Sequence, residues 1–396
     1  MFRRRWSGLP ADPIYPSNLL ELGYFINNDD EVRSIEDPDC YFKYYTTKNE
    51  RWNDRQSFAF NEAINNIVSS RLDDLGLDNV LLPLGTTSRT EKHVPIRITP
   101  NLAIKSRVVL IFGEPGQALG IRAYRVCDHA GGINKGSMIG FLKALLEQPS
   151  SATDRSPPGI ILANPGELWW WPEGKKGLTV SASQRIPMAS AVHAARVYKK
   201  GENTIPENAN LKEHVRYMFE KVLPEFVGKE AKVDIIAIGE SAEEVEMYLN
   251  DDVVWGRIGR QMNSMLVLSG FYSSENFVCD GFKKFVKERA RAYIEEGSPV
   301  DTAIAGPGGN AVCPMFTSYG CPVFSAGEKC NMTETILIKA EKCVLKWLLQ
   351  VTEQGEEYKN DTVEILGEAG ISPEQMEKLG KEGADEDEDG DWYSRP

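Results

Sequence analysis

Apolar residues follow two alternating patterns along most of this chain. Short continuous runs rich in β-branched residues, at Arg107–Phe112, Gly159–Ala163 and 233–238, predict strands that are buried on both faces. Between these runs, apolar residues recur at helical spacing, as they do over 211–227. Strands that alternate with helices in this way predict a mostly parallel sheet covered on both faces, which is a three-layer α/β/α fold.

Shorter runs extend this pattern through one main domain at 53–351. Further strands are predicted at 80–84, Val94–Ile98, 265–268, 302–305 and 322–325. Further helices are predicted at 53–75, 242–249, 282–294 and 334–349.

The two ends of the chain differ from the main domain in composition. Residues 1–52 are irregular and rich in Pro, Asn and Asp, but aromatic residues occur throughout, so we expect an arm packed on the main domain. From 352 to 396 the chain is dominated by Glu, Gly, Lys and Asp, with few large apolar residues to bury. This composition predicts an acidic, mostly disordered tail, in which 372–379 has the pattern of a short helix.

A net charge of −13 and the lack of targeting signals narrow the possible functions. The first residues lead into no apolar signal-peptide core, and no uninterrupted apolar stretch reaches the roughly eighteen residues of a membrane span. We therefore expect a nuclear or cytoplasmic protein that is neither secreted nor membrane-bound. The charge also disfavours direct binding to nucleic acid or to anionic membranes.

Motifs for metals and cofactors are missing from the sequence. The seven cysteines are scattered without a Cys-x-x-Cys pair, and only four histidines are present, which disfavours a zinc site. There is neither a Gly-x-Gly-x-x-Gly dinucleotide motif nor a Gly-Lys-Ser/Thr phosphate loop. We expect reduced thiols, no metal and no cofactor.

The strongest candidate for a chemical site follows the predicted strand at 233–238. There, Gly239-Glu240-Ser241 stands at a strand-to-helix turn, as the start of a nucleophile elbow does, so Ser241 is a candidate vestigial nucleophile. The trailing small residue of that motif is replaced by Glu243, and a serine that caps the next helix explains the pattern equally well. Upstream, Gly113 and Glu114 follow a buried strand, where hydrolases position an oxyanion-hole amide.

A serine hydrolase also needs a general base, and the sequence has none in the expected place. No histidine follows His214, although the catalytic histidine of an α/β-hydrolase comes after its serine. His214 lies in the helix predicted before the elbow, where a histidine bonded to a neighbouring group is favoured over a recruited base. Glu114 and Glu240 would place negative charge beside a developing oxyanion. One carboxylate about 5 Å away would cost roughly 3 kcal/mol at an effective dielectric near 20.

Two further sets of residues are candidates for lining a pocket. Trp169, Trp170 and Trp171 follow the predicted strand at Gly159–Ala163 and form either a ligand-facing aromatic wall or a plug in the core, and the plug is favoured. Cys330 and Asn331 lie in the loop where a hydrolase would carry its histidine, and no histidine is near Cys330 in the sequence.

Several segments resemble the Argonaute-binding protein 2 domain family, named for a subunit of a fungal Argonaute siRNA chaperone complex. They occur in order between about 15 and 350, at 22–27, 109–113, 213–215, 239–241, 297–301 and 324–328. The resemblance implies an α/β-hydrolase-like fold and, in part of the family, a role in RNA-directed heterochromatin through protein partners. Hydrolase-like relatives carry Gly-x-Ser-x-Gly and a histidine after Ser-Ala-Gly, whereas this chain has Glu243 and Cys330-Asn331 there. Asp301 is the candidate for a vestigial acid.

These observations predict a hydrolase-derived, non-catalytic domain that acts through protein partners associated with Argonaute or chromatin. Two other functions remain open from the sequence. One is a serine hydrolase in which Ser241 has an unusual base, and the other is a small-molecule binding module in the old pocket beside Trp169, Trp170 and Trp171.

Overall fold

A nine-stranded sheet forms the centre of the protein in the computed structural model, which describes residues 8–193, 196–327, 332–363 and 365. The strands found in these residues are β1 Tyr24–Ile26, β2 Val32–Ser34, β3 Asp78–Leu82, β4 Val94–Ile98, β5 Arg107–Phe112, β6 Gly159–Ala163, β7 Trp169–Trp171, β8 Lys176–Leu178, β9 Lys232–Ile238, β10 Met262–Leu268, β11 Ala290–Ile294, β12 Ala303–Ala305 and β13 Val323–Ser325.

The order of strands in the large sheet is β3-β4-β6-β5-β9-β10-β11-β13-β12. Strands β6, β5, β9, β10, β11 and β13 pair in parallel, whereas β4 is antiparallel to both of its neighbours and β12 is antiparallel to β13. If the nine strands of this sheet are numbered along the chain, their order across the sheet is therefore 1-2-4-3-5-6-7-9-8. This arrangement confirms the predicted mostly parallel, α/β-hydrolase-like fold.

Helices cover both faces of the sheet. Those found in the described residues are α1 Glu50–Asp74, α2 Tyr124–Cys127, α3 Gly132–Gly136, α4 Ile139–Leu146, α5 Val180–Arg185, α6 Lys200–Asn203, α7 Leu211–Tyr217, α8 Leu223–Phe226, α9 Glu240–Leu249, α10 Asp252–Ile258, α11 Asp280–Arg289 and α12 Thr333–Gln354. One apolar core joins α1, α4 and α12 to the sheet, and a second joins α7, α9 and α11 to its other face. Within the described residues, no helix is long and apolar enough to cross a membrane.

A buried ion pair lies toward the amino-terminal ends of the central strands. Arg107 on β5 donates from Nε to Oδ2 of Asp234 on β9 at 2.5 Å, and both side chains have no exposure to solvent. The other carboxylate oxygen of Asp234 accepts hydrogen bonds from Asn263 and Ser264 on β10. Because Asp234 has partners on both sides, the network joins three adjacent strands.

The predicted helix at 282–294 is wrong in its second half. Helix α11 ends at Arg289, and β11 begins at the next residue as a central strand between β10 and β13. Arg289 stabilises this change of direction by donating to the backbone carbonyls of Asn263 and Gly355. The apolar residues of β11 continue the spacing of the helix before it, so periodicity alone did not separate the two elements.

The amino-terminal arm contacts α1. Phe42 stacks on Phe60 of α1 with ring centroids 3.7 Å apart, and Tyr24 packs against Phe42 at 5.3 Å. Nearer the start of the chain, the buried carboxylate of Asp12 pairs with Arg51 and Arg55 of the same helix. The arm is thus attached by an aromatic cluster and by an ion-pair cluster.

The predicted start of a tail at 352 is too early, because α12 continues to Gln354 and the chain after it still packs on the core. Tyr358 is buried, and its hydroxyl accepts a hydrogen bond from the Trp347 indole at 2.6 Å and donates to Asn360 at 2.9 Å. Few apolar residues follow 352, but Tyr358 and the hydrogen bonds from Asn360 to the carbonyls of Lys287 and Ala290 attach the segment to the core. The predicted helix at 372–379 lies outside the described residues.

We therefore expect Tyr358→Ala to lower the free energy of unfolding by about 3–5 kcal/mol, as for other buried aromatic truncations. Tyr358→Phe should cost only about 1–3 kcal/mol, because it removes the hydroxyl and leaves the ring. Denaturant unfolding followed by tryptophan fluorescence measures both. A chain that ends after residue 365 is the control, since it keeps every contact described for Tyr358. Equal stability of Tyr358→Ala and the unsubstituted chain would contradict the packing described.

Candidate functional site

The centre of the site is the turn between β9 and α9. Gly239 joins the two elements with φ 60° and ψ −132°, a conformation that L side chains adopt only under strain. In a nucleophile elbow the catalytic residue occupies this sharp, strained turn itself. The nucleophile position of this chain is therefore Gly239, which carries no side chain.

Ser241 lies two residues beyond that turn, within the first turn of α9. Its side chain is fully buried, and its hydroxyl donates to the carbonyl oxygen of Gly113 at 2.6 Å. The nucleophile-elbow motif needs a small residue two positions before and two positions after the nucleophile. Around Gly239, these positions are occupied by Ala237 and Ser241. The nucleophile position thus lies two residues earlier than predicted, at Gly239. The prediction of Ser241 as a vestigial nucleophile does not fit the backbone.

Both ring nitrogens of His214 have hydrogen-bond partners other than Ser241. Its Nδ1 is 2.8 Å from Oδ1 of Asn208, and its Nε2 accepts the backbone N–H of Asn164 at 3.2 Å. These partners place the ring proton on Nδ1 and use both nitrogens. Burial lowers the pKa of His214 to about 3, so the ring is neutral at physiological pH. It joins α7 to the loop after β6 and does not serve as a base for Ser241.

Carboxylates surround the turn. The Cγ of Glu114 is 3.4 Å from the point that a Cβ on Gly239 would occupy, and Oε2 of Glu114 has no hydrogen-bond partner among the described residues. Burial, together with the charges of Glu334, Glu240 and Glu295, raises the pKa of Glu114 to about 7 against the opposing effect of Arg125. An oxyanion needs hydrogen-bond donors and positive potential at this place, so the field here has the wrong sign for acyl transfer.

Two of the acidic residues in the loop after β11, Glu295 and Asp301, have different surroundings. Asp301, the predicted vestigial acid, is exposed and accepts a hydrogen bond from the Tyr293 hydroxyl at 2.7 Å. Glu295 directly follows β11, accepts from the Thr333 hydroxyl at 3.1 Å and contributes to the field at Glu114. Sequence reasoning missed Glu295 and Glu334, because no spacing motif connects them to the turn.

The three tryptophans form a short hairpin strand with β8 rather than a wall at Gly239. Trp169 and Trp170 are buried, and Trp170 packs edge-on against His93 with ring centroids 5.2 Å apart. Trp171 is half-buried and faces Phe58. Cys330 and Asn331 lie outside the described residues. Across the residues that the structure describes, no group of three or more His, Cys, Asp or Glu side chains could hold a metal ion.

The strand order and the turn after β9 define an α/β-hydrolase-like protein with glycine at the nucleophile position. The chain belongs to the Arb2 domain family, which it matches over residues 15–300. Two solved esterases are distantly similar to it. The truncated form of a carbohydrate esterase from gut microbiota is 10% identical with a TM-score of 0.29, over 68% of this chain and 93% of that chain. Esterase Est22 is 9% identical with a TM-score of 0.27, over 63% and 72%. The chain has no match among curated proteins.

Glu246 of α9 is a second unusual carboxyl group, on the buried side of the helix. Its side chain is fully buried, and neither carboxyl oxygen has a hydrogen-bond partner among the described residues. Burial raises its pKa well above the ordinary value of 4.5, and the nearby charge of Glu243 adds to the effect. The folded protein therefore holds Glu246 protonated in a pH range where the unfolded chain releases that proton.

The stabilising effect of that proton is complete below pH 4.5 and is lost as the pH rises toward the folded pKa, by up to about 1.4 kcal/mol per pH unit. Glu246→Gln should thus be more stable than the unsubstituted chain at pH 8, and the difference should shrink toward pH 5. Denaturant midpoints at several pH values measure this. The control is Glu353→Gln, at an exposed position of α12. A stability difference that does not change with pH would contradict the assignment.

Proposed function

We propose that this chain is a hydrolase-derived protein-interaction domain that does not hydrolyse esters or amides. We propose further that it acts in small-RNA and heterochromatin assemblies through protein contacts. Membership of the Arb2 domain family supports the second part, since part of that family has the role that the resemblance implies.

The observation that carries the proposal is the glycine at the elbow. Covalent catalysis needs a nucleophilic side chain at this turn, and Gly239 supplies none. Ser241 does not replace it, because its hydroxyl is buried and donates a hydrogen bond to the Gly113 carbonyl, which cannot act as a general base.

The surroundings of the turn support the same proposal. No histidine follows His214 in the sequence, and both ring nitrogens of His214 have other partners. Glu114 and Glu240 line the cavity at the turn, where an oxyanion would need hydrogen-bond donors instead of carboxylates. The turn thus lacks a nucleophilic side chain, a general base and groups that would stabilise an oxyanion.

Binding through proteins is favoured over direct binding of RNA by the charge of the chain. Phosphate contacts supply most non-specific affinity for nucleic acids, and a net charge of −13 opposes them. Protein partners have no such requirement, and a hydrolase-like sheet offers many loops at its carboxyl-terminal edge as contact surface.

A fluorophosphonate probe tests the loss of catalysis. We expect no labelling of the unsubstituted chain above the level of heat-denatured protein, since the Ser241 hydroxyl is buried and both ring nitrogens of His214 have other partners. Ser241→Ala should label equally weakly while losing about 1 kcal/mol of stability, because the carbonyl of Gly113 loses its donor. An active serine esterase serves as the positive control. Stoichiometric labelling that disappears in Ser241→Ala would establish a serine hydrolase instead.

A tagged full chain tests the mode of action. Proteins recovered with it from its native cells should remain bound after ribonuclease treatment, because RNA is not the bridge. The purified chain should show no binding to a fluorescent small RNA duplex tighter than the micromolar range at physiological salt. Tight, salt-sensitive binding to that duplex, or loss of every partner with ribonuclease, would contradict the proposal.

A further inference from the structure

A continuous groove runs along the solvent-facing side of α9. Two cavities of about 440 and 500 Å³ adjoin there and share Glu244 and Met247 in their linings. The first reaches Gly239 and Phe271, and the second reaches Lys212 at the other end. Helix α9 has ten residues, so this α9 groove is about 15 Å long, enough for four or five residues of an extended segment.

Apolar side chains are held open to solvent in the α9 groove. Phe271 is 65% exposed and Met247 is 42% exposed. Phe271 is fixed in this position, because its backbone N–H donates to Glu243 at 3.1 Å and its ring packs against Phe316 at 5.8 Å between centroids. A large aromatic ring that is positioned by its neighbours and still faces water is typical of a contact surface.

The two ends of the groove differ in charge. Glu114, Glu240, Glu243 and Glu244 line the end at Gly239, whereas the other end combines the basic Lys212 and Arg216 with the acidic Glu213 and Asp251. Among the described residues, none of these eight forms an ion pair within 4 Å. The charged side chains that line the end at Gly239 are therefore all acidic, and Arg125 opposes their field in part.

We propose that the α9 groove binds a segment of a partner protein with Lys or Arg side chains at the end near Gly239 and an apolar side chain over Phe271 and Met247. This inference rests on the proposed function as a protein-interaction domain and names the surface and the chemistry of the partner. The missing side chain at Gly239 leaves room at the acidic end, which a lysine or arginine head can approach. The chain's own acidic run at 385–389 has the wrong charge for that end.

The test is a selection of displayed random peptides on the full chain, followed by affinity measurement of the selected peptides. We expect a consensus that combines Lys or Arg with a large apolar residue. Phe271→Ser and the double variant Glu240→Gln, Glu244→Gln should each weaken binding at least about tenfold, as expected for a central aromatic contact and for loss of the complementary charge. Val278→Ser and Glu230→Gln, at exposed positions outside the groove lining, should leave the affinity unchanged.

Charge reversal provides a second measurement that does not depend on loss of binding. Glu240→Lys with Glu244→Lys should shift the selected consensus from basic to acidic peptides. Peptides that bind equally well to the groove variants, or an acidic consensus on the unsubstituted chain, would overturn the groove assignment while leaving the proposed function intact. Self-association that is abolished by Phe271→Ser would also overturn it, because the occupant would then be a second copy of this chain. Failure of the proposed function itself would show separately, as fluorophosphonate labelling.

Discussion

The buried pair of Arg107 and Asp234 fixes the geometry on which the site depends. Two charges without exposure to water need hydrogen-bond partners, and Asp234 accepts three hydrogen bonds, from β5 and from β10, while Nη2 of Arg107 has no partner among the described residues. Removing one partner of such a pair typically costs about 3–5 kcal/mol. Since the pair sets the relative positions of β5, β9 and β10 at one end, it also sets where Gly113, Gly239 and Ser269 emerge at the other.

That alignment brings four carboxylates from distant parts of the chain around one backbone turn. Glu114 follows β5, Glu240 begins α9, Glu295 follows β11 and Glu334 begins α12. In an acyl-transfer enzyme the same edge of the sheet gathers donors that stabilise negative charge. Here the same edge gathers carboxylates, of which Glu334 is paired with Arg125, and in our proposal it faces a positively charged group.

Much of the fold could be predicted from the sequence, because the central strands are buried on both faces and contain few polar residues. The predicted strands at Arg107–Phe112 and Gly159–Ala163 coincide with β5 and β6. The boundary between α11 and β11 could not be predicted, since apolar residues continue across Arg289 without a glycine or proline. The residue that occupies the nucleophile position of the elbow could not be predicted either. Gly239 and Ser241 have the residue types and spacing of a motif start, and only the backbone torsion angles show that the turn is at Gly239.

The hydrogen bond of the Ser241 hydroxyl bears on what a hydrolase site at this turn would require. It links α9 to the loop after β5 across 128 positions of the chain, so it now contributes to the integrity of the fold. Serine-hydrolase chemistry at this turn would need a nucleophile at 239, a histidine to act as its base, and removal of the carboxylate of Glu114. None of these changes confers activity alone, and the first introduces backbone strain before any benefit exists. A serine-hydrolase site at this turn therefore requires several coordinated changes, and no single substitution supplies it.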